Sequence, residues 1–220
     1  MHELPAPPEP ATVDRVRRVV VAGHRGDDAL AASHLHDEDP TVRVAALGAM
    51  HRCGRLDVAL IRAAFVDPSP RVRARAAELS VEVEGIDPDL LLLDHEPSVV
   101  EVASFACGES RWPPGGAPVD RLSTIACDHE DPLCRESAAA ALGAIGDPRG
   151  LDAVLAACDD RVTVRRRAVL ALAAFDDPRA EAMLLRALED KDWQVRQAAE
   201  DLLEIGRSLD GDPDPDAYAE

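Results

Sequence analysis

Two identical triplets, Asp94-His95-Glu96 and Asp128-His129-Glu130, stand 34 residues apart in a chain of 220 residues. Iron and zinc accept imidazole nitrogens and carboxylate oxygens as ligands, so the triplets raise the question of a metal site. Its candidate ligands are His95, Glu96, His129 and Glu130. A repeated structural unit also produces equal spacing, and the rest of the sequence favours that second explanation. We therefore predict no bound metal and no other cofactor.

One phrase recurs six times along the chain: an Asp, then an apolar residue that is followed by Arg in five of the six units, then a small residue. Its anchor pairs are Val42-Arg43, Val72-Arg73, Val100-Glu101, Cys134-Arg135, Val164-Arg165 and Val195-Arg196. The Asp that precedes them is Asp37, Asp67, Asp94, Asp128, Asp159 and Asp190. Because the anchors are 28 to 34 residues apart, the pattern predicts an array of similar units.

Each unit has the pattern of two helices joined by a turn. A short apolar stretch such as LDVALIRAAF (residues 56–65) predicts the first helix. Proline, which is tolerated in the first turn of a helix, predicts where the second one begins, near Pro40, Pro70, Pro97 and Pro132. A hairpin of this size cannot bury its own apolar face, so neighbouring hairpins must stack on one another.

The stretch EDPLCRESAAAALGAIGDPRGLDAVLAACDD (residues 130–160) resembles the HEAT-like repeats of the phycobilisome-lyase type. The likeness covers residues 26 to 207. It implies an all-α, right-handed α-solenoid of about six HEAT-like helical hairpins. Proteins of this type include scaffolds, bilin lyase subunits, a di-iron deoxyhypusine hydroxylase and alkylpurine DNA glycosylases. The fold therefore does not decide the function, and each proposed site has to be tested separately.

We predict three regions. Residues 1–10 are rich in proline and form a flexible N-terminus. Residues 11–207 form a single HEAT-like repeat domain that starts with a capping helix over residues 12–22, in which Thr12 is the N-cap. The inner stripe of that helix is Val13, Val16, Val19 and Val20. Residues 208–220 carry five acids and no base, which is typical of a disordered tail.

The third repeat departs most from the pattern. Its anchor has Glu101 in place of Arg, and its second helix is followed by GESRWPPGGAP. Residues 113–116 (Pro-Pro-Gly-Gly) cannot continue a helix, so residues 108–118 are predicted to be a loop insertion. Trp112 lies in this loop and is either packed against the repeats or offered to a partner.

Charge and composition exclude several classes of function. The net charge is −18, which disfavours a nucleic-acid binder whose affinity rests on clustered basic residues. No apolar stretch is long enough to span a membrane, and the first ten residues lack the basic and apolar regions of a signal peptide. The five cysteines form no CxxC pair. We predict a cytoplasmic protein that binds neither nucleic acid nor membrane.

The positions of the His-Glu pairs argue against the hydroxylase activity. In that enzyme the pairs stand inside the second helix, directly after the anchor. The matching positions of this chain hold Val44-Ala45, Glu136-Ser137 and Arg166-Arg167. There is no GxSxG motif and no Gly-rich phosphate loop either, so we predict no catalytic residues and no enzymatic activity.

The anchor arginines have a structural explanation. Each guanidinium could bind the turn Asp of a neighbouring repeat and so form a ladder along the stack. This prediction applies to Arg43, Arg73, Arg135, Arg165 and Arg196.

The second helices are expected to line the inner groove of the solenoid. Together with Trp112, the outward positions predict a protein-binding surface made of Val44, Arg75, Glu78, Val102, Glu136, Arg166, Arg167 and Gln197. The predicted function is a non-enzymatic scaffold or adaptor for another protein, whose identity the sequence does not give. Two alternatives are a lyase-like or chaperone-like subunit that assists attachment of a prosthetic group, and a metal-dependent enzyme of the deoxyhypusine hydroxylase type.

Overall fold

A computed structural model of the chain describes residues 10–209, and every regular element in that range is a helix. The first six α-helices are α1 (Pro10–Arg25), α2 (Asp28–Ala32), α3 (Pro40–Arg52), α4 (Val58–Phe65), α5 (Pro70–Ser80) and α6 (Pro97–Glu109). The next six are α7 (Val119–Asp128), α8 (Pro132–Ile145), α9 (Leu151–Ala157), α10 (Val162–Ala171), α11 (Pro178–Ala187) and α12 (Trp193–Leu209). Short 3₁₀ helices cover Pro88–Leu93, Pro148–Gly150 and Leu172–Ala174. The predicted all-α fold is confirmed.

The helices after α1 form hairpins in the order that the repeat predicts. The first element of each hairpin is α2, α4, the 3₁₀ helix Pro88–Leu93, α7, α9 or α11, and the second is α3, α5, α6, α8, α10 or α12. Second helices pack against the second helices of neighbouring hairpins, as α3 does against α5 and as α10 does against α8 and α12. Stacked hairpins of this kind form an α-solenoid.

Local sequence explains where the second helices begin. Proline stands in the first turn of α3, α5 and α8, where a backbone N–H would have no partner in the helix. Asp39 caps α3 by accepting the amide N–H of Thr41 at 2.8 Å, and Asp131 caps α8 in the same way. The predicted starts are therefore confirmed.

The chain divides into two compact units, Met1–Ala103 and Ser104–Glu220. The prediction of a single domain over residues 11–207 stays a prediction. The predicted flexible N-terminus lies outside the described residues except for Pro10, with which α1 begins. The predicted acidic tail also lies outside them from residue 210 onward, and α12 continues through Leu209.

In the first unit, α1, α2 and α3 enclose a core of small apolar side chains. Its members are Val19, Ala31, Val42, Ala46, Ala49 and Met50. Gly23 lets α1 approach α3 closely, because a Cβ there would lie 2.8 Å from the Cα of Ala49. Close helix packing thus follows from the Ala-rich composition.

The capping helix differs from its prediction in two respects. It begins at Pro10, so Thr12 lies inside the first turn and is not the N-cap. The Thr12 hydroxyl is buried and donates instead to Oδ2 of Asp39 at 2.8 Å, which ties α1 to the start of α3. Val13, expected on the inner face, is 48% exposed, whereas Val19 is fully buried.

The second unit has a larger aliphatic core. Its fully buried side chains include Leu122, Leu142, Val154, Val164, Val169 and Leu172. Helices α8 and α10 meet at Gly143, where a Cβ would lie 2.5 Å from the Cβ of Ala171. A glycine at this position is required because two helix backbones nearly touch there.

Residues 110–118 contain no helix and connect α6 to α7. Trp112 is half-buried in this loop, and its indole N–H donates to the carbonyl of Cys107 at 2.8 Å. The indole is therefore anchored to the end of α6 while one part of it stays accessible.

Candidate functional site

Four anchor arginines bind the turn aspartate of the next hairpin, each through Nε and Nη2. The distances are 2.9 and 2.7 Å from Arg43 to Asp67, and 2.7 and 2.8 Å from Arg73 to Asp94. In the second unit they are 2.5 and 2.9 Å from Arg135 to Asp160, and 2.9 and 2.8 Å from Arg165 to Asp190. We call these four pairs the arginine ladder. The prediction of a ladder is confirmed for these four arginines.

The third guanidinium nitrogen fixes each ladder arginine to its own turn. Nη1 donates to a backbone carbonyl five or six residues earlier, as from Arg73 to Asp67 at 2.8 Å and from Arg165 to Asp160 at 2.9 Å. Each ladder aspartate accepts an amide N–H as well, for example that of Glu96 on Asp94 at 3.0 Å. Backbone hydrogen bonds thus help to orient both the guanidinium and the carboxylate of each ladder pair.

These contacts determine the charge state of the ladder. Burial raises the pKa of Asp67 and Asp94, but the hydrogen bonds from Arg43 and Arg73 outweigh it together with backbone donors, so both pKa values lie below the ordinary one. For Asp160 and Asp190 the arginine hydrogen bond is itself the largest influence, and it also lowers the pKa. The ladder aspartates are therefore ionised over the whole neutral range.

The two ends of the ladder differ. Arg15 of α1 lies 3.2 Å from the carboxylate of Asp37, so the capping helix supplies a cation for the first turn. Arg196 of α12 donates through Nη1 to the carbonyls of Asp190 and Lys191, at 2.7 and 3.2 Å. No partner for its Nε or Nη2 occurs among residues 10–209, so the ladder prediction is wrong for Arg196 within that range.

The structure corrects the assignment of two turn aspartates. Asp128 is the exposed last residue of α7, and His129 occupies the turn position in its place. There, His129 Nδ1 accepts the amide N–H of Asp131 at 3.1 Å, and its carbonyl accepts from Arg135 at 2.7 Å. In the fifth hairpin the ladder residue is Asp160, and the predicted Asp159 pairs with Arg186.

The two triplets that suggested a metal site therefore occupy different positions in their turns. His95 is exposed; its ring nitrogens lie 3.5 Å from Asp94 and 3.8 Å from Glu96. His129 is half-buried, contrary to the expectation that it faces solvent, and Glu130 is exposed. Among residues 10–209, no group of three or more His, Cys, Asp or Glu side chains is arranged to hold a metal ion.

In the first unit, the predicted binding surface is mainly polar. Arg75 and Glu78 pair with each other at 2.5 Å on α5. His51 of α3 and Glu82, two residues after the end of α5, pair at 2.8 Å. Val44 on α3 and Val102 on α6 are half-buried, so neither offers a fully exposed apolar contact. The role of these residues in binding stays a prediction.

In the second unit, the guanidinium of Arg166 is already bound by a carboxylate of the same chain. Its Nε and Nη2 both donate to Asp192 at 3.0 Å, a second bidentate pair beside the ladder. Arg167 is exposed, and its nearest acid, Glu136, is 3.9 Å away. Gln197 is exposed on α12 and donates to Asp201 at 2.8 Å. Of the two predicted arginines in this unit, Arg167 has the looser contact with an acid, so its guanidinium is the more available to a partner.

A shallow apolar groove of about 400 Å³ runs between α8 and α10 beside Arg167. Its other lining residues are Ala140, Gly143, Ala144, Leu170, Ala171, Ala173 and Ala174. Leu170 is 47% exposed at the edge of the groove. We call this surface the α8–α10 groove.

Sequence reasoning found Arg167 but missed the rest of this groove. The signal was present, because Ala140 and Ala144 on α8, and Arg167 and Ala171 on α10, are spaced as on one face of a helix. Alanine is common on both faces of these helices, so the sequence pattern alone did not separate the core from the surface.

The thiols show the opposite of nucleophilic activation. Burial, together with a smaller contribution from the nearby Asp159, raises the pKa of Cys158 to about 12. Burial also raises the pKa of Cys127, although that residue is exposed overall. Neither cysteine is therefore a thiolate at neutral pH.

No helix within residues 10–209 combines the length and the apolar character that crossing a membrane requires.

Two protein-family models match the second half of the chain. One is described as HEAT repeats and matches residues 159–217, and the other is described as PBS lyase HEAT-like repeat and matches residues 135–160. No curated protein sequence matches this chain significantly.

Solved structures resemble the fold. YibA of Escherichia coli matches with a TM-score of 0.58 and 16% identity, over 73% of this chain and 62% of the YibA chain. A designed armadillo repeat protein matches with a TM-score of 0.58 and 17% identity, over 79% of this chain and 97% of its own. Human deoxyhypusine hydroxylase in complex with glycerol matches with a TM-score of only 0.35 and 16% identity, over 93% of each chain.

Identities this low show a common fold and nothing about activity. The stacked hairpins, the recurring anchor and the two matching repeat models agree with one another. The chain is a HEAT-like repeat protein with an α-solenoid fold.

Proposed function

We propose that this chain is a non-enzymatic scaffold that binds another protein through the α8–α10 groove. The observation that carries the proposal is the groove itself, an apolar surface of Ala and Gly with Leu170 half-exposed at its edge. An apolar strip bordered by polar residues is a candidate contact for another protein. Stacked helical hairpins form the extended surfaces on which repeat proteins bind their partners.

The lining residues indicate the chemistry of the partner. Small side chains on both walls let a helix approach closely, and an apolar stripe on that helix would pack against Leu170. Arg167 stands at the edge of the groove with its nearest acid at 3.9 Å, so it can bind a carboxylate of the partner. We propose an amphipathic helix that carries an acidic residue beside its apolar stripe.

The absence of enzymatic activity is part of the same proposal. Most arginines and aspartates of the repeat are bound to each other, which leaves few charged groups for catalysis. The raised pKa values of Cys127 and Cys158 also disfavour nucleophilic catalysis by either thiol.

The test uses a matched pair of leucines. A photo-crosslinking amino acid placed at position 170 in cells would identify the partner and the peptide that contacts the groove. The affinity of the purified partner would then be measured for wild type, Leu170→Glu and Leu185→Glu. Leu185 is 51% exposed on α11 and does not line the groove, so it controls for a charge on an exposed leucine.

We expect Leu170→Glu to weaken binding about 3- to 10-fold, because Leu170 is 47% exposed and burial of the remaining half of a leucine side chain contributes roughly 0.7–1.4 kcal/mol. Leu185→Glu should leave the affinity unchanged. Equal affinities of the two variants would show that the partner binds elsewhere. The predicted surface of the first unit would then be tested next, with substitutions at Val44 and Val102.

A further inference from the structure

Three arginines of α1 have no ion-pair partner among residues 10–209. They are Arg17, Arg18 and Arg25, and all three are exposed. The remaining arginine of α1, Arg15, lies 3.2 Å from the carboxylate of Asp37 and so belongs to the ladder. The chain as a whole has a net charge of −18, so a helix with three unpaired cations is a local exception that attracts anionic partners.

The three arginines line a groove of about 530 Å³ between α1 and α2. Its apolar lining consists of Val21, Ala22 and Leu30, and Val21 is 37% exposed. Asp14 and Asp27 line it too, and Asp27 Oδ1 accepts the amide N–H of Leu30 at 3.0 Å as the cap of α2. Three cations and two acids leave the groove positive. We call this surface the α1–α2 groove.

The repeat shows how unusual this face of α1 is. Arg15 is the counterpart of Arg43, because each lies beside the turn aspartate of the next hairpin. Three residues after the anchor arginine, later second helices carry an alanine that is fully buried: Ala46, Ala76, Ala138 and Ala168. The same position of α1 holds Arg18, which is exposed. Helix α1 therefore occupies the place of a second helix but has a cation where the others have core.

In later hairpins a first helix packs against the second helix, as α4 does against α5 and as α7 does against α8. Within residues 10–209, no first helix precedes α1. The α1–α2 groove thus borders a helix that lacks, in this range, the helical neighbour that the fold gives to the other second helices. A polar face is enough for a terminal cap, whereas an exposed valine between unpaired arginines also offers a partner apolar contact and charge.

We propose that the α1–α2 groove binds an acidic amphipathic helix of another protein, in the position that a first helix has in the later hairpins. Arg18 and Arg25 are seven residues apart, which is about 10.5 Å along α1. Two acids with the same spacing on the partner bind these guanidinium groups, and an apolar residue between them packs against Val21 and Leu30. The proposal rests on the first unit alone and does not depend on the α8–α10 groove.

The test uses two designed, fluorescently labelled helical peptides of about 18 residues, or five helical turns. Both are rich in alanine and carry one leucine stripe. The acidic peptide has two glutamates seven residues apart beside the stripe, and the basic peptide has lysines at those positions. Affinities for the full-length chain are measured by fluorescence anisotropy at low ionic strength, where charge contributes most.

The test variant is Arg18→Glu/Arg25→Glu. The matched control is Arg62→Glu/Arg71→Glu, which makes the same change of charge at exposed arginines that do not line the groove. Leu170→Glu is measured as well, because it reports whether a peptide binds at the α8–α10 groove instead.

We expect the wild type to bind the acidic peptide about 10-fold more tightly than the basic one, from two exposed ion pairs. The test variant should reverse this preference, which also shows that it is folded, whereas Arg62→Glu/Arg71→Glu and Leu170→Glu should keep it. The proposal is overturned if the wild type does not distinguish the peptides, or if the control lowers the affinity as much as the test variant does. It is also overturned if only Leu170→Glu weakens binding. Binding of phosphatidylserine vesicles without binding of either peptide would assign the arginines to a lipid surface and overturn the helix.

Discussion

The ladder pair of Arg73 and Asp94 gives the sharpest test of what stabilises the first unit. Both side chains are nearly buried, with 7% and 6% of their surface exposed. Arg73→Gln removes two hydrogen bonds to Asp94, at 2.7 and 2.8 Å, and those to the carbonyls of Asp67 and Pro68. It also leaves the carboxylate of Asp94 ionised and without its cation.

Loss of one partner from a buried ion pair costs about 3–5 kcal/mol. Asp94 keeps the amide N–H of Glu96 as a donor, so we expect a loss at the lower end, about 3 kcal/mol. Arg55→Gln is the control, because Arg55 binds Asp28 at 2.8 Å with 65% and 41% of the two side chains exposed. An exposed pair of this kind contributes less than about 1 kcal/mol.

The measurement is urea unfolding followed by circular dichroism, for wild type, Arg73→Gln, Asp94→Asn, the double variant and Arg55→Gln. The double variant should be more stable than the sum of the two single losses predicts, because each single change leaves the other partner unpaired. If Arg73→Gln destabilises the protein no more than Arg55→Gln does, the ladder is not a source of stability and the reasoning is refuted.

Three further predictions follow from packing and ionisation. Gly143→Ala should destabilise the protein by about 1–3 kcal/mol through overlap with Ala171, whereas Gly206→Ala, which has open space around it, should be neutral or stabilising in thermal unfolding. The ladder aspartates have lowered pKa values, so their contribution to stability is fully present above about pH 4, the ordinary aspartate pKa. This contribution should be lost progressively as the pH falls below that value. Urea unfolding midpoints measured at a series of pH values would detect the loss. Cys127 should react with a thiol reagent in the native protein and Cys158 only after unfolding; equal rates would contradict the burial assigned to Cys158.

The fold was largely predictable because each local signal in the repeat agrees with the others. Proline marks the start of α3, α5 and α8, and the anchor residues repeat at a nearly constant interval. The pairing of anchor arginines with turn aspartates also followed from the sequence, since a positive charge that recurs at one position of five hairpins predicts a negative charge in the neighbouring hairpin.

The residue that occupies the turn position of each hairpin was less predictable. Asp128-His129 and Asp159-Asp160 each offer two adjacent residues, and the structure places the second of each pair in the turn. Counting back from the anchor cannot distinguish them, because the number of residues between the turn and the anchor varies by one or two. The similarity of the two His-Glu triplets was misleading for the same reason.

The sequence by itself determined that this chain folds into helical hairpins and that those hairpins must stack, because a hairpin of about 30 residues cannot bury its apolar face alone. It also determined which residue types form the ladder. Only the tertiary structure decided which surface is left open. Arg166 forms a salt bridge with Asp192, whereas Arg167 and Leu170 border an uncovered groove. The groove depends on how closely α8 and α10 approach each other at Gly143, a distance that no single helix encodes.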